Sequence, residues 1–508
     1  MRGYRYTRKY AEGGVLKNMA YMLTKEDENR IGRKEIRTSY SEINTRKELL
    51  EVLEQALPIH NINVDDINEL EDYYGGVHPI MQRVKNIRPD INNIVIRNLP
   101  YAIVEFKKGY TFGNTIQYVQ KRGNIQPDPA SISTDNKVSG LNSVMSLENK
   151  STKDIELAED LFVSGVGYRG IFPRQDVEST EDAPFHLDTL DPRSTFVVVY
   201  NGIGKHTVLG CTIITDVTTG EKRYCCYTKN KYFEVLNEKV VLETENALGM
   251  IPIVQYKLNP SMIGSFEPVL SEIDAINTML SNRVDAIEQI VQAILVFENC
   301  DIDEEGFEQL KKDLAIKVKG EPGNPAAVKY VTADLNQNEV QTSIDDMYQD
   351  VLYLCNVPDR NASAGGNTGA ALQVAEGWAG AEAQAKSDII MFTQSEREML
   401  RIVKRIVDSF TLPYECKGMK ISDIDINADR EKNQNLLTKT QGLLNLLEAG
   451  VDPVTACASV GLFNDPQLVA DKSPNMSKWA VETRSTVAEV TNATTSNTNN
   501  DPNNAGII

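Results

Sequence analysis

The sequence predicts an α+β fold, and three observations carry that expectation. Short β-rich runs, STFVVVY, TVLGCTII, KRYCCYT, KYFEVL and KVVLET, crowd into residues 186 to 258 with the turns NGIG and TTGE between them, the pattern of an antiparallel meander. Long stretches with apolar residues every three or four positions lie outside that region, at 266–296, 339–355 and 369–410, and read as amphipathic helices. Strands and helices are therefore segregated along the chain, as an α+β fold requires.

In chain order, the opening MRGYRYTRKYAEGGVLKNMA is basic and aromatic without the apolar core of a signal peptide. Arg2, Arg5, Arg8 and Lys9 read as a solvated arm, or more sharply as a contact to DNA or an acidic partner. Residues 41 to 87 read as two helices, TRKELLEVLEQAL and INELEDYYGGVHPIMQRVK, parted by a turn at HNINVDD, with Gly75 and Gly76 stopping the second. An Asn-rich turn leads into a mixed apolar stretch, RPDINNIVIRNLPYAIVEFKKGYTFGNT, and residues 124 to 140 form a Ser/Asn/Pro-rich loop. TKDIELAEDLF has helical spacing through Ile155, Ala158, Leu161 and Phe162, while YRGIF beyond it looks extended. Gly165, Gly167 and Gly170 fit GxGxxG, yet a dinucleotide fingerprint needs a strand before and a helix after. The order here is reversed, and a cofactor loop is rejected.

GMIPIVQYKLNP closes the meander, and a helix from Phe266 to about Val296 follows, with Pro268 suited to its first turn. One face carries Val269, Ile273, Ile276, Leu280, Val284, Ile287, Val291 and Ile294; the other carries Glu267, Glu272, Asp274, Asp285 and Glu288 against a single Arg283. An insertion at 298–338 offers a small helix, EEGFEQLKKDLA, and an extended pair within IKVKGEPGNPAAVKYVTAD. The second helix, 339–355, sets Val340, Ile344, Met347, Val351 and Leu354 opposite Asp345, Asp346 and Asp350. NVPDRNASAGGNTGAAL, a polar glycine-rich interruption, precedes the long helix 369–410, where Gly377 and Gly380 are expected bend points. A strand, MKISDIDI, a helical REKNQNLLTKTQGLLNLLEAG and DPVTACASVGLFNDPQLVADK come next, and the Thr/Asn/Ser-rich tail from about Val481 is expected to be disordered.

Composition narrows the function. Acidic residues outnumber basic ones 72 to 53, a formal charge of −19, which argues against a protein that wraps nucleic acid on a broad basic face. Seven cysteines without CxxC spacing suit a reducing compartment. Apolar runs such as FVVVY and AILVF are too short to span a bilayer, so a soluble protein is expected. No catalytic or metal-ligating constellation is expected: His60, His78, His186 and His206 lack ligand spacing, no GxxxxGK[ST] occurs, and the glycines of AGGNTGAAL have neither lysine nor preceding strand.

The pieces YYGGVHPI, NNIVIRNLPYAIVEFKKGYTFGN, IPIVQYKLNP, FEPVLSEIDAINTMLSNRVDAIEQIVQAILVF, VPDRNASAGGNTGAALQ and ADREKNQNLLTKTQGLL, in that order from about Glu71 to Pro474, resemble the portal proteins of tailed bacteriophages, in particular those of siphophages. The resemblance implies a portal fold: a wing at 41–265, a two-helix stem at 266–296 and 339–355, a clip at 297–338, a tunnel loop at 356–368, a long kinked wing helix and strand at 369–427 and a helical crown at 428–480. A basic arm, 1–40, and a tail, 481–508, depart from the family pattern. It further implies a dodecameric ring at one capsid vertex, part of the virion and assembled in the host cytoplasm. Such a ring conducts double-stranded DNA during packaging and ejection. The implied partners are the terminase large subunit, a head-completion adaptor, and the major capsid and scaffolding proteins, with no cofactor, no metal and no membrane.

On the same footing, Arg360, Asn361, Ser363, Gly365, Gly366 and Asn367 would form a mobile DNA-facing loop that makes transient phosphate contacts. Glu272, Asp285, Glu288, Asp345, Asp346 and Asp350 would line the channel, where negative charge favours passage over capture. Phe307, Leu310 and Tyr330 would form the clip interface, and the apolar stripes would be seams between subunits or against the wing. A scaffold or minor head protein that oligomerises without conducting DNA is the alternative.

Overall fold

The computed structural model describes residues 31–120, 137–291, 294–298, 327–331, 337–359, 369–428, 436–460, 462–463, 469–470 and 473. The calls on the arm before residue 31, the helix EEGFEQLKKDLA with Phe307 and Leu310, the loop residues 360–368 and the tail lie outside the described residues.

The first helix, α1 (Arg46–Tyr74), is continuous, where two were expected. Thr45 begins it with a capping box: its hydroxyl accepts from the Glu48 amide at 3.2 Å, and the Glu48 carboxylate accepts from the Thr45 amide at 3.0 Å. The polar run HNINVDD looks like a turn but stays helical, and two of its polar side chains are tied to neighbouring backbone. Asn63 accepts from the Lys34 amide at 2.7 Å and donates to its carbonyl at 2.9 Å, and His60 lies 3.1 Å from the Arg193 carbonyl. Gly75 and Gly76 end the helix as expected. Residues 31–40, expected in the arm, are instead packed into the body: Arg33, Lys34, Ile36 and Thr38 are buried, and β1 (Arg37–Thr38) pairs in parallel with a later strand, residues Thr195–Tyr200.

The mixed apolar stretch becomes α2 (Leu99–Phe112), capped by the Asn98 side chain. A short strand, β2 (Gln117–Gln120), comes next, and α3 (Lys137–Leu147) starts inside the expected loop. Helix α4 (Lys150–Ser164) runs into β3 (Val166–Pro173), the helix-then-strand order read from the sequence. Gly165 joins them at φ +78°, and a Cβ there would sit 2.3 Å from the Met262 carbonyl oxygen. That φ alone costs an alanine about 1–3 kcal/mol, and backbone cannot move aside. Gly165→Ala is expected to lower the thermal unfolding midpoint by several degrees; an unchanged midpoint would show that the turn relaxes freely.

β4 (Phe185–Leu190) joins β3 and β10 (Ile253–Lys257) in a three-stranded sheet, so GMIPIVQYKLNP pairs with β3 and does not close the meander. The meander itself is present: β5 (Thr195–Tyr200), β6 (Thr207–Thr215), β7 (Lys222–Tyr227), β8 (Lys231–Leu236) and β9 (Lys239–Glu245) follow in antiparallel order, with β1 added beside β5.

Next comes α5 (Leu270–Val291), opened by one 3-10 turn at Glu267–Val269. It is shorter than the 266–296 expected, because Ile294–Glu298 is a strand, β11, paired antiparallel with β12 (Ala327–Val331). AILVF kept the helical period by coincidence; β-branched and aromatic residues in so short a run suit either state. Tyr330 sits in β12 opposite Leu295. Helix α6 (Gln337–Leu354) packs beside α5, and α7 (Gly369–Ser409) follows. β13 (Ile424–Asn427) pairs with β2, and α8 (Leu436–Glu448) and α9 (Pro453–Val460) share a small core around Leu443, Ala456 and Cys457. The main core joins α2, α4, α5, α6 and α7, and a second lies between α1 and the meander.

Candidate functional site

The α5/α6 pair carries six of the seven expected site residues that fall among the described residues. Its lower half is anchored in the main core, where Val269, Ile273, Ile276, Ile344 and Val351 are buried. Higher up, Val284 and Ile287 of the same apolar stripe are exposed.

One flank of α5 is covered by an extended strap, residues 91–98. Three buried polar side chains one helical turn apart accept from alternate strap amides: Asp285 from Asn93 at 2.7 Å, Ser281 from Val95 at 3.0 Å, and Asn277 from Arg97 at 2.8 Å. His78, packed edge-on against Tyr73, meets the Asn277 amide nitrogen at 3.2 Å. Backbone that belongs to no sheet is thus hydrogen-bonded by helix side chains, as buried amides require.

Asp285 is therefore enclosed within the chain, whereas the channel expectation requires it to be presented to solvent. Its side chain is 3% exposed and receives Lys85 at 2.7 Å and Arg83 at 3.1 Å. Burial pushes its carboxyl up, but the hydrogen bonds from Lys85 and Asn93 outweigh that and hold it below the usual range. Other acids of α5 are also engaged within the chain. Glu267 binds Arg33 at 2.6 Å, Asp274 accepts from Tyr73 at 2.9 Å, and Glu288, half-buried, accepts from Asn93 at 2.6 Å. The solvated acidic face read from the sequence is largely an internal polar surface, because periodicity cannot distinguish carboxylates in water from carboxylates under a strap.

Helix α6 behaves differently. Residues 337–359 contain Glu339, Asp345, Asp346, Asp350 and Asp359 and no lysine or arginine. Asp345, Asp346 and Asp350 are exposed, and Asp345 accepts from Gln341 at 2.7 Å, which in turn accepts from Arg283. Glu272 of α5 is half-buried; burial, and after it the negative charge of Asp350, push its carboxyl up.

The chain entering the glycine-rich segment is held against α7. A Cβ on Gly377 would lie 3.4 Å from Pro358, and one on Gly380 3.3 Å from the Asn356 side chain. The two glycines lie within continuous helix and serve this close approach. Arg360, Asn361, Ser363, Gly365, Gly366 and Asn367 lie outside the described residues. Trp378 packs on Phe106 and Tyr110 beside the same junction.

Sequence reasoning missed a buried charge quartet at the heart of the body. Lys150, at the start of α4, lies 2.6 Å from Asp154 and 2.8 Å from Glu396 of α7; Arg169 of β3 lies 2.8 Å from Asp154. Tyr118 and Tyr256 donate to the two Glu396 oxygens at 2.6 and 2.7 Å. The group is neutral overall and ties β2, β3, β10, α4 and α7 together. No motif announces it, since its members are scattered over nearly 280 positions.

Among the described residues no group of three or more His, Cys, Asp or Glu side chains is placed to hold a metal, and no helix is long and apolar enough to cross a membrane.

A family model described as phage portal protein, SPP1 Gp6-like, matches residues 53–482. Among solved structures, the chain is similar to the neck of an empty GTA particle computed with C6 symmetry, at 12% identity and a TM-score of 0.43, covering 78% of this chain and 94% of that one. No curated protein matches.

Proposed function

The chain belongs to the SPP1 Gp6-like family of phage portal proteins, a family of structural rather than catalytic proteins set in the head-tail connector, and on that premise we propose that twelve copies close into a ring that conducts double-stranded DNA at one capsid vertex. The α5/α6 pair forms the stem, the body around the meander the wing, the β11/β12 insertion with Phe307, Leu310 and Tyr330 the clip, α8 and α9 the crown, and residues 356–368 the tunnel loop. Terminase docks on the clip during packaging, and the head-completion adaptor takes the same surface later. Capsid and scaffolding proteins surround the ring.

The observation that best supports a conduit is the acid-only α6. Proteins that hold DNA do so by placing lysine and arginine on phosphates and releasing counterions. A wall presenting Asp345 and Asp350, with Glu272 partly exposed near Asp350, leaves the duplex unbound and free to slide. Glycines and short polar side chains at 360–368 suit a loop that follows a duplex whose symmetry differs from that of the ring.

Electron microscopy of the purified protein tests the ring: closed particles of about twelve subunits with an axial hole are expected, whereas monomers or filled oligomers would favour a scaffold or minor head protein. Shortening residues 361–367 is expected to leave rings intact and to reduce packaged DNA at least tenfold. Normal packaging by that variant would remove the loop's assigned role.

A further inference from the structure

We propose that Cys211 and Cys226 are an oxidisable pair, which a peroxide joins in a disulfide that ties together the two central strands of the meander sheet. The inference concerns a single folded chain and does not depend on the ring. The two residues are partners in the register of β6 and β7, their sulfurs lie 3.5 Å apart, and both are fully buried. β6 and β7 are the third and fourth of the six strands in their sheet.

The backbone already meets the demands of the bond. Opposite residues of an antiparallel pair have Cα atoms about 4.5 or 5.5 Å apart, and disulfides accept about 4.4–6.8 Å. What remains is for the sulfurs to close from 3.5 Å to about 2.05 Å, which turning the two short side chains about Cα–Cβ supplies. Among the described residues no third thiol competes. Adjacent residues of a strand point to opposite faces, so Cys225, opposite Thr212, faces away from the α1 side, where Cys211 and Cys226 pack with Phe196, Leu209 and Phe233. Cys355 and Cys416 belong to the main core and Cys457 to the small one.

The chemistry balances with one peroxide. Hydrogen peroxide passes one oxygen to the first thiol, giving a sulfenic acid and one water; the second sulfur then displaces hydroxide from the sulfenic sulfur, its proton joins that hydroxide, and a second water leaves. An S–S bond forms, an S–O bond breaks, and the two electrons lost by the thiols reduce the peroxide. Because the second sulfur already touches the first, condensation precedes further oxidation to the sulfinic acid. Burial pushes the Cys211 thiol well above its ordinary range, so little thiolate forms and the first step is slow in the folded chain. A reducing cytoplasm keeps such a pair as thiols, and the bond belongs to the protein outside it.

The test is peptide mass spectrometry of the full chain after an overnight exposure to millimolar hydrogen peroxide. The peptide holding Cys211 is expected to be linked to the one holding Cys226 in at least half of the chains, and dithiothreitol should separate them. The same link is expected in Cys225→Ser. Cys226→Ala should show none and should carry Cys211 on to the sulfinic acid, which dithiothreitol does not reverse. In urea the oxidised chain should unfold at a higher concentration before dithiothreitol than after it. Peptides that stay separate in the wild type, or a link lost in C225S, would overturn the pair; an oxidised chain whose midpoint dithiothreitol leaves unchanged would overturn the tie between the strands. Both outcomes are read on the wild type and C225S, so a C226A chain that fails to fold does not affect them.

Discussion

Glu396→Ala is expected to destabilise the body by about 3–5 kcal/mol, the cost of breaking a buried ion network from one side. Without this carboxylate, Lys150 and Arg169 share Asp154 alone, and the Tyr118 and Tyr256 hydroxyls lose their acceptor. Glu396→Gln keeps an acceptor but not the charge, so it should fall between the wild type and the alanine variant. Chemical denaturation of the full chain measures the difference; an alanine variant unfolding at the wild-type midpoint would show that the quartet adds no stability.

Acid should act through the same group. Burial pushes the Glu396 carboxyl up, but attraction from Lys150 and Arg169 prevails and holds it below its ordinary value near 4.5. A depressed folded value means its stabilisation is present above about pH 4.5 and fades as pH falls through the folded value. His60 begins the decline earlier. Burial lowers it from 6.5 to about 4, so between those values the unfolded chain takes up a proton that the folded chain refuses, and stability drops with pH.

Asp285→Ala is the second large effect, at about 3 kcal/mol, because two cations and two Asn93 donors lose one shared acceptor. The loss is local, so hydrogen exchange shows it best: the Asn93 and Val95 amides should exchange roughly a hundredfold faster while those of β6 and β7 keep their rates. Unaltered exchange at Asn93 would mean that the strap is held by something other than the ladder.

The sequence was most legible where a side chain's polarity matched its surroundings. The meander was read strand by strand, because alternating β-branched residues between glycine turns have one good arrangement. α6 and α7 were placed within two residues of their ends. It was least legible where polar groups face inward. In α4 the expected inward Ile155 is exposed, while Lys150 and Asp154 are buried for the sake of Arg169 and Glu396. HNINVDD reads as a turn because nothing local shows that Asn63 will bind the Lys34 backbone. The acids of α5 were read as solvated for the same reason. Of the expected channel group, Asp345, Asp346 and Asp350 stand on the surface, Glu272 and Glu288 partly so, and Asp285 is enclosed.

The strap and α5 also form a vernier. Rungs four residues apart on a helix are about 6.0 Å apart, whereas alternate amides of an extended chain are about 6.6 Å apart. The two scales agree well enough for three rungs and then drift out of step by about 2 Å, more than a hydrogen bond tolerates. The ladder ends where that drift predicts: the next amide along the strap, that of Ile91, turns away to the Arg88 carbonyl at 3.0 Å. Mismatched pitch thus fixes the length of the grip. Because the rungs engage together, shifting α5 along the strap would break all three at once, and the next register in which they could re-form lies a whole rung, about 6 Å, away.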